Sequence, residues 1–484
     1  MERADYLEQD AVGLAALVRE GATSPKALAG LALEIAAELE PALGCLVESY
    51  AADVAALDEA ALPAGPLRGV PFIIKDCVLA MAGKRIANGS KLSGGLCAGY
   101  DTELMRRFRA AGVVTIAQSK APEFGYNGST EPVIFGPTHN PWDLERSPGG
   151  SSGGSSAAVA AGYVPLAHAN DGGGSIRIPA SCCGLVGLKI TRGRNSLGPD
   201  FGECLFGMSG EAVVSRTVRD TAAMLDATNG PAAGDPYVIA PPERPYLEEA
   251  AREPAPARIA WAVPESWGPS PTDPEVASAT RAAAGLLSDL GHRVSEDCFE
   301  HDVAALNDAI STAWVVGETA WMKAVSEASG VEPGPDSLER VMWNIYREGR
   351  ELNAVECLNK VLGGFNRACR QIAPFFQHYD FLVLPTIGRQ PFPLGYLDQN
   401  ADMTAKEWWD HLATILPFTP VFNVTGQPAV SLPLYQSAGG LPIGVQIVGR
   451  FGDEAGLLRL AGQLERALPW KDRHPPTSAW TGPA

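Results

Sequence analysis

The sequence predicts an α/β fold, in which a largely parallel β-sheet has helices on both faces. The first observation is the short apolar run Val70–Ile74, which ends at Lys75 and has the character of a buried strand. The second is the segment 101–111, whose apolar residues recur with the spacing of an amphipathic helix. The third is another apolar run at 113–117, directly after Gly112. Alternation of strands and helices is typical of a parallel sheet covered by helices.

The remaining elements follow from similar signals. Ser24 and Pro25 form a helix start, and we expect this helix to run to about Glu40, where Pro41 stops it. The Gly- and Ser-rich block 149–156 is interpreted as a loop that leads into a helix at 157–161. Farther along we expect a strand at 258–263, a helix at 273–290, a mostly helical segment at 301–370, strands at 381–384, 429–434 and 444–448, and a closing helix at 453–467.

Composition excludes several classes of function. The net charge of −18 over 484 residues disfavours binding to nucleic acid and to anionic membranes. The nine cysteines contain no C-x-x-C pair, which indicates free thiols in a reducing compartment. No signal peptide and no apolar run of membrane-spanning length is apparent, so we expect a cytoplasmic protein. Scattered histidines and cysteines argue against a metal site, and no cofactor is predicted.

Two serines in separate glycine-rich turns, Ser151 and Ser175, carry the strongest functional signal. A nucleophilic serine needs a sharp turn that exposes its hydroxyl group, and backbone N–H groups that face the developing oxyanion. The three glycines 172–174 before Ser175 allow the backbone to approach a substrate closely. The pattern therefore predicts a hydrolase.

Simpler serine schemes fit less well. Residues 149–153 match G-x-S-x-G, but such a match arises easily by chance in a run so rich in Gly and Ser. That scheme also needs a later histidine, and His378, His411 and His474 stand in no recognisable context. No serine precedes a lysine by three positions, and no Gly-Lys-Ser/Thr follows the glycines, which excludes S-x-x-K and P-loop motifs.

The segment GGSSGGSSAAVAAG…NDGGGSIRIPASCCGLVGLK, at 149–189, resembles the signature of the amidase signature family. GVPFIIKD at 69–76 resembles the family's lysine motif, and 423–431 with 441–444 resemble its C-terminal strands. The resemblance implies an α/β/α sandwich with a large mixed, mostly parallel sheet. It also implies a single domain over 1–484, with an N-terminal helical part at 1–64, a signature core at 65–200, a helical substrate-side excursion at about 300–370, and C-terminal strands and a helix at 375–467.

Carried over residue by residue, the resemblance implies a Ser-Ser-Lys triad. Ser175 would be the nucleophile, Ser151 the bridging serine on a cis peptide, and Lys75 the base. Burial at the end of an apolar strand would lower the pKa of Lys75 and leave a neutral amine that accepts a proton. Backbone N–H groups of Gly172, Gly173, Gly174 and Ser175 would hold the oxyanion, while Asp171, Arg177 and Ser152 would support the loops.

Within the family, strings such as APEFGYNGSTEP at 121–132 are most similar to enzymes of the 6-aminohexanoate-cyclic-dimer hydrolase type, which act on nylon oligomers. We expect a substrate pocket without an obvious cationic or anionic side chain, which implies a neutral, non-peptide amide substrate, with aryl amides, esters and carbamates (a urethanase activity) left open. Trp314, Asn127 and Phe124 are the candidate substrate contacts. The alternatives are a subunit similar to glutamine amidotransferases and a non-catalytic scaffold that binds amides. The oligomeric state is also left open, with a homodimer among the alternatives.

Overall fold

The computed structural model describes residues 1–482, and its centre is one eleven-stranded β-sheet. The strands are β1 (Leu46–Ser49), β2 (Pro71–Lys75), β3 (Val114–Ser119), β4 (Leu166–Asp171), β5 (Val186–Lys189), β6 (Gly210–Ser215), β7 (Arg258–Trp261), β8 (Arg293–Glu296), β9 (Phe381–Pro385), β10 (Ala429–Gln436) and β11 (Pro442–Gly449).

Helices pack around this sheet. They are α1 (Arg3–Glu8), α2 (Ala11–Arg19), α3 (Pro25–Leu43), α4 (Ala51–Ala55), α5 (Glu103–Ala111), α6 (Gly153–Ala160), α7 (Arg177–Cys183), α8 (Val218–Thr228), α9 (Tyr246–Ala251), α10 (Pro274–Asp289), α11 (Val303–Ser329), α12 (Arg340–Glu351), α13 (Ala354–Ile372), α14 (Phe375–His378), α15 (Ala405–Leu412), α16 (Pro420–Thr425) and α17 (Glu454–Ala467). Among residues 1–482, no helix combines the length and the apolar character needed to cross a bilayer.

Alternate residues of the central strands enter two different cores. In β9, Phe381 and Val383 belong to one hydrophobic cluster, and Leu382 and Leu384 belong to a second. Because successive side chains of a strand point to opposite faces, this division shows that both faces of the sheet are covered. The predicted α/β sandwich with a mixed central sheet is confirmed.

The direction of the strands differs from the expectation of a mostly parallel sheet. The order is β1-β3-β2-β4-β6-β5-β10-β11-β9-β7-β8. Four of the ten strand pairings are parallel and six are antiparallel. The reason is that fully buried strands carry the same apolar pattern in either direction, so their sequences do not report how they pair.

Three local expectations need correction. Helix α3 does not stop at Pro41 but includes it and ends at Leu43, where Gly44 adopts a left-handed conformation with φ of 59°. A proline in the last turn removes one hydrogen bond without preventing the turn. Helix α6 begins at Gly153, inside the Gly- and Ser-rich block, rather than at Ala157. The N-terminal part is not wholly helical, because β1 lies in it and forms one edge of the sheet.

Candidate active site

Three parallel strands bring the predicted functional residues to one edge of the sheet. Strand β2 lies between β3 and β4 and runs parallel to both. Lys75 is the last residue of β2, and Asn170 and Asp171 are the last residues of β4. The carboxyl ends of neighbouring parallel strands are the usual place for ligand sites in α/β folds.

Lys75 lies next to Ser151. The lysine is fully buried, and its Nζ lies 2.7 Å from Oγ of Ser151 and 2.5 Å from Oδ1 of Asn170. Ser151 stands two residues before α6, and its peptide bond with Gly150 is cis. The Asn170 amide is held in turn, because its Nδ2 donates to the carbonyl oxygen of Cys77 at 3.0 Å. These contacts hold the amine beside one hydroxyl group.

Burial lowers the pKa of Lys75 to about 8 from its usual value of 10.5. The opposing influence comes from nearby acidic groups, including Cys77, Glu211 and Asp171, which favour the ammonium form. The buried position has the larger effect, so a substantial fraction of the amine is neutral slightly above neutral pH. A neutral amine has a lone pair that can accept a proton from Ser151.

Ser175 lies in the sharp turn between β4 and α7. Gly174 has φ of 134°, and a Cβ atom at this position would come within 2.4 Å of Oγ1 of Thr419. Only glycine fits both the backbone conformation and the space. The Gly174 N–H donates to Oδ1 of Asp171 at 2.7 Å, so this donor is used within the loop. The other N–H groups of the predicted oxyanion site, those of Gly172, Gly173 and Ser175, remain candidates.

A buried ion pair fixes this turn. Arg177 donates to both carboxylate oxygens of Asp171 at 2.9 Å, and both side chains are fully buried. Burial alone would raise the pKa of Asp171, but the charge and hydrogen bonds of Arg177, together with Asn423, lower it to about 2. Asn423 adds hydrogen bonds from its Nδ2 to the backbone and carboxylate oxygens of Asp171. The contacts of Asp171 and Arg177 therefore hold the turn between β4 and α7 together.

Both serines open onto one cavity of about 580 Å³, a size suited to a small organic molecule. Ser151, Ser175 and Asn170 lie on its polar side. Helix α11 supplies one wall. The apolar lining residues include Ala80, Ile86, Leu96, Phe124, Leu205, Trp314, Ala320, Trp321, Ala324, Val325 and Ala328.

The other predicted site residues are distributed around this cavity. Phe124 and Trp314 line it, whereas Asn127 lines a small adjoining pocket and donates its amide to the carbonyl oxygen of Leu397. Ser152 supports the loop, because its Oγ donates to the carbonyl oxygen of Asn170 at 3.3 Å. None of the histidines of the described chain lines the cavity. Residues 1–482 also contain no cluster of three or more acidic, His or Cys side chains that could hold a metal ion.

Sequence reasoning missed several polar side chains of the site. Asn170 contacts Lys75, and its place beside Asp171 could have suggested this contact. Glu318 on α11 lines the cavity, so the expectation that the pocket has no acidic side chain was wrong. No sequence signal distinguishes Glu318 from the many other glutamates, because only the packing of α11 places it there. Asp200 and Glu203, which are exposed, also line the cavity.

Comparisons with known proteins found similar chains. A family model described as Amidase matches residues 31–458. The 6-aminohexanoate-cyclic-dimer hydrolase of Paenarthrobacter ureafaciens is 36% identical over 488 residues, which cover 97% of each chain. The enzyme of the same name from Pseudomonas sp. (strain NK87) is 37% identical over 498 residues, again with 97% of each chain covered. The solved structure of 6-aminohexanoate cyclic dimer hydrolase has a TM-score of 0.90 at 36% identity and covers 97% of this chain and 99% of that one.

Proposed function

The chain belongs to the amidase family and is an amidohydrolase, and we propose that it cleaves neutral, non-peptide amide bonds through an acyl-serine intermediate on Ser175. The observation that carries the proposal is the contact of 2.7 Å between the buried amine of Lys75 and the hydroxyl group of Ser151, in the cavity that Ser175 also lines. The amine and the two hydroxyl groups form a Ser-Ser-Lys triad.

In the acylation step, neutral Lys75 accepts the proton of Ser151, and Ser151 takes the proton of Ser175. The Ser175 oxygen attacks the carbonyl carbon and forms a tetrahedral oxyanion. Backbone N–H groups of Gly172, Gly173 and Ser175 stabilise this oxyanion, and one good donor of this kind contributes about 3–4 kcal/mol to the transition state. The Asn170 side chain, with its Oδ1 at 2.5 Å from the lysine amine, holds this amine in place.

In the second half of the step, the proton returns through Ser151 to the leaving nitrogen, the C–N bond breaks, and an amine departs. A water molecule then attacks the ester of Ser175, with the same amine and hydroxyl groups taking its proton. The products are a carboxylic acid and the regenerated triad. A carbamate would follow the same route, and its carbonic or carbamic acid product would lose CO₂.

The walls of the cavity support a neutral substrate. No lysine or arginine of the described chain lines it, so a substrate carboxylate would find no cation there. Burial raises the pKa of Glu318 well above its usual value and so favours the uncharged form of this carboxyl group. Asp200 and Glu203 also line the cavity but are exposed to solvent, whereas its buried walls are mostly apolar, and a desolvated charge would be costly against those walls.

The proposal is tested with a fluorophosphonate probe and a panel of anilides, linear and cyclic aminohexanoate amides, esters and carbamates. We expect the wild-type protein to be labelled at Ser175, and Ser175→Ala to lose both labelling and turnover. Lys75→Ala and Ser151→Ala should each lower kcat by several orders of magnitude. Ser288 is an exposed serine on α10, and Ser288→Ala is the matched control, which should change neither the labelling nor the turnover. Turnover that survives in Lys75→Ala would contradict the triad.

A further inference from the structure

The catalytic cavity opens to solvent at a mouth that carries two carboxylates. The mouth consists of the lining residues that are exposed, namely Tyr100, Asp200, Glu203, Ala320, Ala324 and Ala328. Asp200 and Glu203 lie in the connection between β5 and β6, and the three alanines belong to α11. An exposed carboxyl group is ionised at neutral pH. The mouth is therefore negatively charged, whereas the interior of the cavity is mostly apolar.

Both carboxylates are held in place without being neutralised. Tyr100 donates the hydrogen of its hydroxyl group to Asp200, and Tyr237 donates in the same way to Glu203. The hydrogen bond to Asp200 raises the pKa of Tyr100 to about 12, so this phenol stays protonated and continues to donate. Within residues 1–482, neither carboxylate forms an ion pair with a lysine, arginine or histidine side chain. Their negative charge thus remains available to a ligand.

The cations nearest to this region do not line the cavity. Burial lowers the pKa of Arg192, and the charges of Cys369 and Glu203 oppose that effect, which shows that Arg192 lies near Glu203. Its guanidinium group donates to three backbone carbonyl oxygens and is not part of the cavity lining. Lys323 on α11 pairs with Glu327 and is also absent from the lining. A ligand in the mouth therefore meets two carboxylates and no cation among the described lining residues.

The connection that carries the carboxylates also reaches the catalytic centre. Leu205 lies between the turn of the nucleophile and α11, because Cβ atoms added to Gly172 and Gly317 would come within 3.0 and 2.6 Å of its side chain. Glu203 precedes Leu205 by two residues, so the Cα atoms of the two residues are at most about 7 Å apart. The negative charge of the mouth is therefore fixed within reach of the remote end of a substrate whose amide group lies at Ser175.

We propose that Asp200 and Glu203 select substrates that carry a cationic group at the end remote from the cleaved amide bond. The acyl chain and the amide group lie against the apolar walls, and an ammonium group at the chain end stays in solvent beside the two carboxylates. This arrangement favours ω-amino acyl amides over amides with an uncharged end, and it disfavours ω-carboxy acyl amides. The inference rests on the proposed function, because the substrate must reach Ser175 through this cavity.

The first test compares 4-nitroanilides whose acyl chains have equal length and end in an ammonium, a hydroxyl or a carboxylate group. Chain lengths from four to ten carbon atoms are used, so that the chain ends sample the whole depth of the cavity. At pH 8 and low ionic strength, we expect kcat/KM at the best length to be about five- to tenfold higher for the ammonium compound than for the hydroxyl compound, and lowest for the carboxylate compound. In 1 M NaCl this preference should fall to about twofold or less. Equal values for the ammonium and hydroxyl compounds at every length would overturn the proposal.

Variants then assign the preference to the two carboxylates. Asp200→Asn and Glu203→Gln should each lower the ratio of kcat/KM between the ammonium and hydroxyl compounds by about two- to threefold, and the double variant should abolish the preference. Reversal of both charges, by Asp200→Lys together with Glu203→Lys, should place the carboxylate compound above the ammonium compound. A double variant that keeps the wild-type ratio would overturn the proposal.

The control for the overall net charge of −18 is Glu296→Gln, at an exposed position on β8. This change removes one negative charge away from the cavity lining and should leave the ratio of kcat/KM as it is in the wild-type protein. If Glu296→Gln lowers the ratio as much as Asp200→Asn does, the preference comes from the charge of the whole protein, and the assignment to the mouth is wrong.

Failure of this inference differs from failure of the proposed function. If the wild-type protein is labelled at Ser175 and hydrolyses the ammonium and hydroxyl compounds equally well, only the selectivity of the mouth is wrong. If no anilide is hydrolysed and Ser175 is not labelled, the proposed function is wrong, and the inference fails with it.

Discussion

Lys75 combines full burial with two polar neighbours, and its protonation should control the rate. The pKa is lowered by burial to about 8, so the ammonium form predominates below that pH and the neutral amine above it. We predict that kcat/KM rises about tenfold per pH unit below pH 8 and levels off above it, provided that the neutral amine is the base. A kcat/KM profile measured from pH 5.5 to 9.5 checks this. A flat profile across that range would exclude Lys75 as the base.

Asn170 offers a way to move that profile. Its Oδ1 lies 2.5 Å from the lysine amine, and Asn170→Asp would place a carboxylate at the same distance. A negative charge so close favours the ammonium form, so we predict that the rising limb shifts by at least about one unit towards alkaline pH. Asn400→Asp, at an exposed position, adds the same charge and serves as the control. Identical profiles for the two variants would show that Asn170 has no influence on the amine.

For individual residues, the sequence revealed most of those that carry the proposed chemistry. It did not reveal which other residues surround each of them in the fold. Ser151, Ser175 and Lys75 were recognisable because glycines and an apolar strand surround them in the chain. Asn170 and Glu318 were not recognisable, because what matters for them is a contact across the fold. A lysine or a glutamate acquires its altered pKa from burial, and burial depends on elements distant in sequence.

The turn between β4 and α7 is the element that presents Ser175, and Gly174 is its most constrained position. We predict that Gly174→Ala lowers kcat at least about a hundredfold, because the added Cβ would meet Oγ1 of Thr419 at 2.4 Å and the backbone has φ of 134°. Gly285→Ala on α10 is the control, since nothing lies within 4 Å of its added Cβ. A helix interior gains up to about 1 kcal/mol from that exchange. Full activity in Gly174→Ala would mean that the turn relaxes.

The existence of the main elements could be predicted, but their pairing could not. Apolar runs and helical spacing located β2, β9, α10 and α17 to within a few residues. Strand direction was missed because a short, buried strand has the same apolar pattern in a parallel and in an antiparallel pair. Strands β5 and β6 are both of this kind, and they pair in antiparallel fashion. Edge strand β1 was missed because two of its four residues, Leu46–Ser49, are half-buried and two are exposed, so the strand carries little apolar signal. Tertiary packing decided these features.

Across the whole molecule, several buried carboxyl groups should make stability depend on pH. Burial raises the pKa of Asp76, Asp220 and Glu465 to about 7 in each case. Groups of this kind contribute stability that is fully present below their unfolded pKa of about 4 and is lost as the pH rises through 7. Burial lowers the pKa of Lys75 to about 8 and that of Lys189 to about 7. The stability that these two lysines contribute is regained only as the pH rises above these values.

We therefore predict that the unfolding temperature is several degrees higher at pH 5.5 than at pH 7.5. The corresponding difference in the free energy of unfolding is on the order of a few kcal/mol. Thermal unfolding followed by circular dichroism at the two pH values measures this difference. Glu465→Gln should reduce it, whereas Glu300→Gln, at an exposed position, should not. A higher unfolding temperature at pH 7.5 would reverse the sign and refute the argument.

The position of β10 and β11 in the sheet has a consequence for synthesis of the protein. These strands come late in the chain, yet they lie between β5 and β9 and divide the sheet into two parts. A ribosome adds about 5–20 residues per second, so β5 waits for tens of seconds with an open edge before its neighbour emerges. Unpaired edges invite association between nascent chains. Slower translation initiation or a holding chaperone should thus increase the yield of soluble enzyme.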